Sequence, residues 1–388
     1  MEPTSKLVGE LLEEVPRQPK IKRSEYQENG RFPIVDQSQA HISGYTDDES
    51  WLYQGELPVV IFGDHTRILK FVDFPFCVGA DGTQLLRPVA GNDIRYFYYA
   101  LRNVDLTNYG YERHFKYLKI EEIFAPALPA QRRIAGILSA YDEMSENSQR
   151  RIRILEAMAR ALYREWFVSF RFPGYEKTQR VASPLGAIPK GWEVKKLADV
   201  ADVNRAQINA RNAPDEVHYI DISSVSPGQI DTITTYAFAD APGRARRIVQ
   251  HGDVLWSCVR PNRRSHAQVM RPERDTIAST GFAVLTAIRV PFTFLYFATT
   301  TDDFVGYLTN NATGAAYPAV TASTFENADM LIPPASLLKK FGDATIPIAE
   351  QIHTLQHQSQ TLRRTRDLLL PRLLSGGLSA KKLTPSRA

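Results

Sequence analysis

Two long stretches of the chain place their apolar residues at alternating spacings of three and four. That is the period of a helix packed lengthwise against another helix. The first stripe runs Ile134, Leu138, Tyr141, Ser145, Ser148, Ile152, Leu155, Ala159, Leu162 and Trp166. Pro129 stands where a first-turn proline belongs and Pro173-Gly174 closes the stretch, so the spacing predicts a rod of roughly 60 Å from Pro129 to Phe167. The second stripe runs Ile348, Ile352, Leu355, Ser359, Leu362, Arg366, Leu369 and Leu373. Thr345 reads as its cap, Pro347 as its first turn and Gly376-Gly377 as its stop, while Pro371 is expected to kink it or end it early. Each stripe taken singly also describes an ordinary amphipathic helix on a globular core. Their placement favours the longer reading, because each follows a long segment of β-type composition.

Within those segments, Leu57–Phe62, Val217–Ile222 and Phe282–Ile288 are short β-prone runs, the first two with turn residues beside them. The prolines, glycines and lysines of Pro173–Lys190 read as a linker. The order is thus mixed domain, long helix, mixed domain, long helix, and landmarks recur between the halves. Tyr96-Phe-Tyr-Tyr-Ala100 matches Phe294-Leu-Tyr-Phe-Ala298 at an offset of 198, Gly110 matches Gly314 at 204, and Pro129-Ala130 matches Pro334-Ala335 at 205. Arg164 and Arg372, near the helix ends, give 208. A steadily creeping offset is what one duplication with small insertions produces.

Composition narrows the class. With 388 residues, 43% hydrophobic and 23% charged, most of the chain is expected to fold, as two or three domains. Cys77 and Cys258 stand too far apart for a disulfide framework or a cysteine zinc site, and Met1–Glu10 lacks the apolar core of a secretory signal. A reducing cytoplasm is the expected compartment. Gly281–Thr300 has the length of a membrane span, but Arg289 and Pro291 near its centre make it a buried strand followed by a short helix.

The net charge of +4 says little, yet between Arg244 and Arg274 eight arginines face only Asp253 and Glu273. There Gly252–Ser257 reads as turn then strand, with Arg260-Pro-Asn-Arg-Arg264 as the loop beyond it. Arginine matches guanine and asparagine matches adenine, and any arginine can grip phosphate, so Ser257, Arg260, Asn262, Arg263 and Arg264 are candidate DNA contacts. A solvated or salt-bridged surface loop is the alternative. In the first half, His65, Thr66 and Arg67 occupy the corresponding place. Gly110–Arg113 and Gly314–Tyr317 lie at matching distances before the two helices, as loop contacts or as packing, and Tyr317 joins the candidates.

Catalytic motifs are missing. The sequence holds no GxGxxG and no Gly-Lys pair for a phosphate loop, no Gly-x-Ser-x-Gly, and no Asn/Asp-Pro-Pro-Tyr/Phe tetrapeptide of amino-methyltransferases. His353 and His357 share a helical face without a third ligand, so no metal site is predicted.

Three stretches carry a resemblance. Leu128-Pro-Ala-Gln-Arg-Arg-Ile-Ala-Gly-Ile-Leu138 with Leu155–Phe167 resembles the central helical region of DNA-specificity subunits of type I restriction-modification systems. Ile188-Pro-Lys-Gly-Trp-Glu-Val-Lys-Lys-Leu197 is similar to that family's approach to a second recognition domain, and Arg363–Gly376 is similar to its C-terminal helix. The resemblance implies an α+β chain with a pseudo-two-fold internal repeat. Its parts are a first target-recognition domain (1–128), a central helical spacer (129–172), a linker with a second target-recognition domain (173–344), and a C-terminal helical spacer and tail (345–388). The two long helices would pair antiparallel as a coiled coil that fixes the distance between half-sites. The implied chain is a non-catalytic reader of double-stranded DNA that directs methyltransferase and restriction subunits. S-adenosylmethionine, ATP and magnesium are expected on those partners rather than here, and no membrane is involved. Ile137, Met144, Met158 and Leu370 lie off the stripes and are the expected partner-binding surface. A stand-alone DNA methyltransferase and a protein-binding coiled-coil scaffold are the rival readings.

Overall fold

In the computed structural model the chain divides into two units, one of residues 4–148 with 358–375 and one of residues 149–357; Arg17, Asn108, Tyr111 and Ala210 are not among the described residues. Glu2 and Gly376-Gly377 also lie outside the described residues. Among those described, no helix is long and apolar enough to cross a membrane. The stretch Gly281–Thr300 is a buried strand followed by a short helix, as its charge and proline predict.

The first unit contains β1 (Thr4–Leu7), β2 (Phe32–Val35), β3 (Gly44–Thr46), β4 (Val59–Gly63), β5 (Leu69–Val72), β6 (Cys77–Val78) and β7 (Thr83–Leu86). After these come α1 (Ile94–Arg102), α2 (Phe115–Leu118), β8 (Glu122–Ala125) and the start of α3 (Leu128–Tyr163). The run Val59–Phe62 shows no alternation because β4 is buried on both faces, paired antiparallel with β5 and β7. A second sheet has the order β3-β2-β6, and β1 pairs with β8.

The second unit opens with a correction. The stretch read as a linker holds a hairpin of β9 (Arg180–Ser183) and β10 (Gly186–Pro189), and Phe172, Ile188 and Trp192 are buried in the core. Burial of those three outweighs the loop-like composition around them. There follow β11 (Glu193–Lys196), β12 (Ala201–Val203), β13 (Glu216–Ile220), β14 (Val225–Ser226), β15 (Gln229–Ile230), β16 (Thr234–Ala237) and β17 (Ala245–Ile248). Next are β18 (Val254–Ser257), β19 (His266–Gln268), β20 (Thr276–Ser279) and β21 (Phe282–Ala287). The helices α4 (Phe292–Thr299), α5 (Asp302–Asn310) and α6 (Ala322–Glu326) precede β22 (Asp329–Ile332) and α7 (Ala335–Leu374).

The repeat seen in the sequence is a repeat of topology. Strand order β5-β4-β7 recurs as β19-β18-β21, the parallel pair β2·β6 recurs as β13·β20, and the antiparallel pair β1·β8 recurs as β11·β22. From β8 onward the offset is constant at 207, since Glu122 and Leu128 open β8 and α3 where Asp329 and Ala335 open β22 and α7.

The helix stripes are buried or half-buried along their length, but α7 begins ten residues before the expected cap. Thr345 is no cap. Its hydroxyl donates to the Phe341 carbonyl at 2.8 Å, one turn back, and meets the Thr293 hydroxyl at 2.7 Å. Leu337, Leu338 and Phe341 are buried and hold the extra turns, with Pro347 tolerated inside the helix. Pro371 does not end it either: Leu370, Leu373 and Leu374 are buried against Ile134, Ala135 and Leu138 of α3, and that packing outweighs the lost backbone bond.

Within each unit the helix segments run antiparallel, but the two seams differ in chemistry. In the first unit the Ser145 and Ser359 hydroxyls meet at 2.8 Å and the Arg363 Nε donates to Ser145 at 3.1 Å. One turn along, Arg366 pairs with Asp142, and the Tyr99 hydroxyl of α1 donates to that same carboxylate at 2.5 Å. In the second unit the seam is apolar: Tyr163, Phe167, Phe294 and Phe341 form an aromatic cluster, with Phe167 and Phe341 ring centroids 4.9 Å apart. Shifting by 207, Asp142 and Arg366 correspond to Ala349 and Ala159, and Tyr99 corresponds to Phe297 at the α1-to-α4 offset of 198. Those three residues line a cavity of about 50 Å³ where the first unit has its ionic triad.

Two stability predictions follow from buried polar groups. Arg366→Met strands Asp142 with the Tyr99 hydroxyl alone and is expected to cost about 3 kcal/mol in urea unfolding, whereas adding Asp142→Leu should recover most of that loss. Equal losses in the single and double variants would show that the pair is not coupled. In the second unit, burial and the nearby Arg160 and Arg264 push His266 down to about 4. Between that value and the ordinary histidine range the unfolded chain takes up a proton that the folded chain refuses, so acidification removes stability, about 2 kcal/mol by pH 5. Burial pushes Asp253 up to about 6, which works in the opposite direction. Comparing wild type with His266→Leu at pH 7 and pH 5 isolates the histidine: the variant should lose less stability on acidification, and identical losses would refute the assignment.

Candidate nucleic-acid interface

In the second unit the loop after β18 is built around two left-handed residues, Arg260 (φ 52°) and Arg264 (φ 57°). Side chains rarely adopt that conformation without support. The support comes from the loop before α6. The Arg260 N–H donates to the Pro318 carbonyl at 2.7 Å, its guanidinium donates to the Ala316 carbonyl at 3.1 Å, and it lies 4.5 Å from the Tyr317 ring centroid. Gly314, at φ 103°, makes the turn that returns this strand of loop toward Arg260. On the other side Arg264 pairs with Asp302 at 2.5 Å and holds that carboxyl below its usual range. Between the two arginines Pro261 is buried, while Asn262 and Arg263 are exposed.

The first unit repeats the device with different residues. The turn from β4 to β5 ends at Arg67 (φ 60°), whose N–H donates to the Gly63 carbonyl at 2.7 Å and whose guanidinium donates to the Leu106 carbonyl at 3.1 Å. Gln37 holds the turn from outside: its side chain accepts from the His65 N–H at 3.2 Å and donates to the Asp81 carbonyl at 2.7 Å, and the Thr66 hydroxyl donates to its carbonyl at 2.6 Å. Gly82, at φ 84°, lies so close that a Cβ there would come within 2.7 Å of the Gln37 side chain. Asp64, beneath the turn, is buried and accepts from the Phe115 N–H at 2.8 Å, which ties the turn to α2. A polar depression of about 490 Å³ opens nearby, lined by Gln84, Gly82 and Arg113 among others.

The structure therefore groups Arg260, Asn262, Arg263, Arg264 and Tyr317, and it keeps His65, Thr66 and Arg67 together on the first unit. Tyr317 is 69% exposed. Ser257 needs correcting: it is buried at the end of β18, a strand buried along its whole length, and its hydroxyl donates to the Val259 carbonyl at 3.0 Å. The arginine-rich window is not one basic surface. Arg246 lies 4.9 Å from the Phe238 ring centroid, Arg271 pairs with Glu350 at 2.7 Å and Arg274 sits 3.6 Å from Asp275, so strand topology scatters the charges that the sequence brings together. Gln37, Asp302 and Ala316 were not legible beforehand, since each reaches the loops from a distant segment without a motif.

Of the proposed partner surface, Met144 is 49% and Met158 57% exposed, with Ile154 and Leu368 also exposed on the same helices. Ile137 is half-buried against the first core, and Leu370, 7% exposed, is part of it. The stripe of α7 is wider at its end than the sequence spacing suggests, which corrects the reading of Leu370 as exposed.

No protein-family model matches the chain. It is similar to the type I restriction enzyme MjaIX specificity subunit of Methanocaldococcus jannaschii, 26% identical over 284 residues that cover 69% of this chain and 62% of the relative. The MjaVIII specificity subunit of the same organism is 20% identical over 269 residues, covering 66% of this chain and again 62% of the relative. The match thus spans less than two thirds of either relative's length. Among solved structures, the S subunit of a type I restriction-modification system from M. genitalium shares the fold, with a TM-score of 0.62 at 14% identity over 96% of both chains. In sequence, then, this chain is similar to specificity subunits of type I restriction enzymes, and it shares the fold of a solved S subunit.

Proposed function

We propose that the chain is a non-catalytic DNA-specificity subunit that reads a bipartite site, each unit engaging one half-site of double-stranded DNA. The observation that carries this is the duplicated loop. In both units the turn beyond the central strand of the same three-strand order contains a left-handed arginine, Arg67 or Arg260, whose guanidinium donates to a backbone carbonyl, and both turns expose polar side chains. Side chains that must discriminate bases need a rigid mount, and two equivalent mounts suit a site in two parts. On this reading S-adenosylmethionine, ATP and magnesium belong to methyltransferase and restriction partners. The exposed apolar positions Met144 and Leu368 on one unit, and Ile154 and Met158 on the other, suit those partners, because isolated apolar side chains of this size on helices gain by being covered.

The test is a salt titration of the purified chain on duplex DNA, followed by mapping of methylated sites in cells that express it with its methyltransferase partner. A reader loses affinity steeply as salt rises, with a log–log slope of about −0.9 for each phosphate neutralised. A protein-binding scaffold gives no salt-dependent DNA affinity, and that outcome would overturn the proposal. Met158→Lys should leave folding intact and weaken assembly with the methyltransferase subunit in size-exclusion chromatography; normal assembly would remove Met158 from the partner surface.

A further inference from the structure

The four polar residues at the second unit's loop do not have equal freedom. Arg260 is engaged three ways, through its N–H, its guanidinium and the Tyr317 ring, and Arg264 is committed to Asp302. Asn262 and Arg263, exposed between them, make no side-chain hydrogen bond, ion pair or ring contact among the described residues. The first unit shows the same division. Arg67 is spent on the Leu106 carbonyl and Thr66 on Gln37, which leaves the exposed His65 ring without a hydrogen bond or ion pair among the described residues.

From this asymmetry we infer that Asn262 and Arg263 are the base-reading pair of the second unit, and that Arg260 and Arg264, like Arg67 in the first, are positioning residues that do not themselves read DNA. The inference rests on the DNA-reading function proposed above. Its chemistry is specific: the planar fork of Arg263 matches the O6 and N7 acceptors of guanine, and the Asn262 amide matches N6 and N7 of adenine, so the loop takes purine edges in the major groove. An arginine meant for phosphate needs only reach and charge, and gains nothing from a tip braced on both sides. Bracing fixes the direction of the short side chain at 262 and of the first bonds of the long one at 263. Direction is what separates one base edge from another. The left-handed backbone at both Arg260 and Arg264 fits the same view, since a costly conformation persists where surrounding contacts enforce it. The two units share the brace and differ in the reading groups, histidine in one and asparagine with arginine in the other.

The experiment selects sites for the full-length chain from a randomised double-stranded library and compares wild type with Arg263→Ala, Arg263→Gln, Asn262→Ala, Arg260→Ala and Arg260→Lys. Wild type should enrich two half-sites, one containing a guanine. Arg263→Ala should flatten that guanine by about tenfold to a hundredfold while sparing every other position. Arg263→Gln, which leaves the braces intact, should move the preference toward adenine, and Asn262→Ala should flatten a neighbouring adenine. Arg260→Ala should weaken all positions of that half-site together, and Arg260→Lys, which keeps a cation over Tyr317, should restore them without altering the base profile. If Arg263→Ala weakens every sequence equally, the residue grips phosphate and the inference is wrong. An unchanged profile in Arg263→Ala and Arg263→Gln overturns it as well. A wild-type chain that enriches no sequence defeats the DNA-reading function, and the inference with it.

Discussion

The Asp142 carboxylate, held between the Arg366 guanidinium and the Tyr99 hydroxyl, joins three parts of the chain that are far apart in sequence. A half-buried charge of this kind stabilises little in net free energy, yet it penalises every arrangement that leaves either partner alone. Slipping α7 by one turn against α3 would part Asp142 from Arg366 and Ser145 from Ser359. The register is therefore fixed by polar groups, while Leu138, Leu370, Leu373 and Leu374 provide the apolar burial. Because Tyr99 lies on α1, the same carboxylate also orients the helix that backs β4 and β5 of the first unit. The first unit is consequently incomplete without the end of α7, and the second is incomplete without the later part of α3 and the turn that follows it, whose Ala159 and Phe167 belong to its core.

The equivalent place in the second unit reaches the same geometry by other means. Ala349, Ala159 and Phe297 replace the ionic triad, and the register is carried by the interlocked rings of Tyr163, Phe167, Phe294 and Phe341. Large rings packed edge to face resist sliding as an ion pair does, because any shift loses shape complementarity over a wide area. One seam is specified by polar matching and the other by steric matching. A duplicated architecture has thus diverged in chemistry at its most constrained positions while keeping strand order and the helix offset.

The periodicity of α3 and α7 was legible because a helix that buries a narrow face against another helix must repeat its apolar residues at that spacing. The start of α7 was not legible from local signals. Thr345 and Pro347 imitate a cap and first turn, but Thr345 is buried at a tertiary contact and bonds backward to Phe341, a relation no local signal records. The repeat came close to the boundary in another form, pairing Pro129-Ala130 with Pro334-Ala335, two residues out of the 207 register in which α3 and α7 begin. Long-range self-similarity carried the information that capping residues obscured. The hairpin at Arg180–Pro189 was hidden for a related reason: turn-forming residues dominate its composition, and the few that anchor it, Phe172, Ile188 and Trp192, are spaced too widely to form a pattern.

At the candidate interface the sequence marked the stretches that fold as loops and misjudged the charges. Arginines close together in sequence are separated in a sheet whenever a strand or turn intervenes, and Arg246, Arg271 and Arg274 each meet a different neighbour. What makes a loop useful for recognition is therefore not its count of arginines but how many remain uncommitted after the fold has used the rest. At β18 the fold uses two, through Ala316, Tyr317 and Asp302, and those commitments stiffen the backbone that carries Asn262 and Arg263. The same residue type is thus held by the fold or left free according to whether a carbonyl, ring or carboxylate lies within its reach.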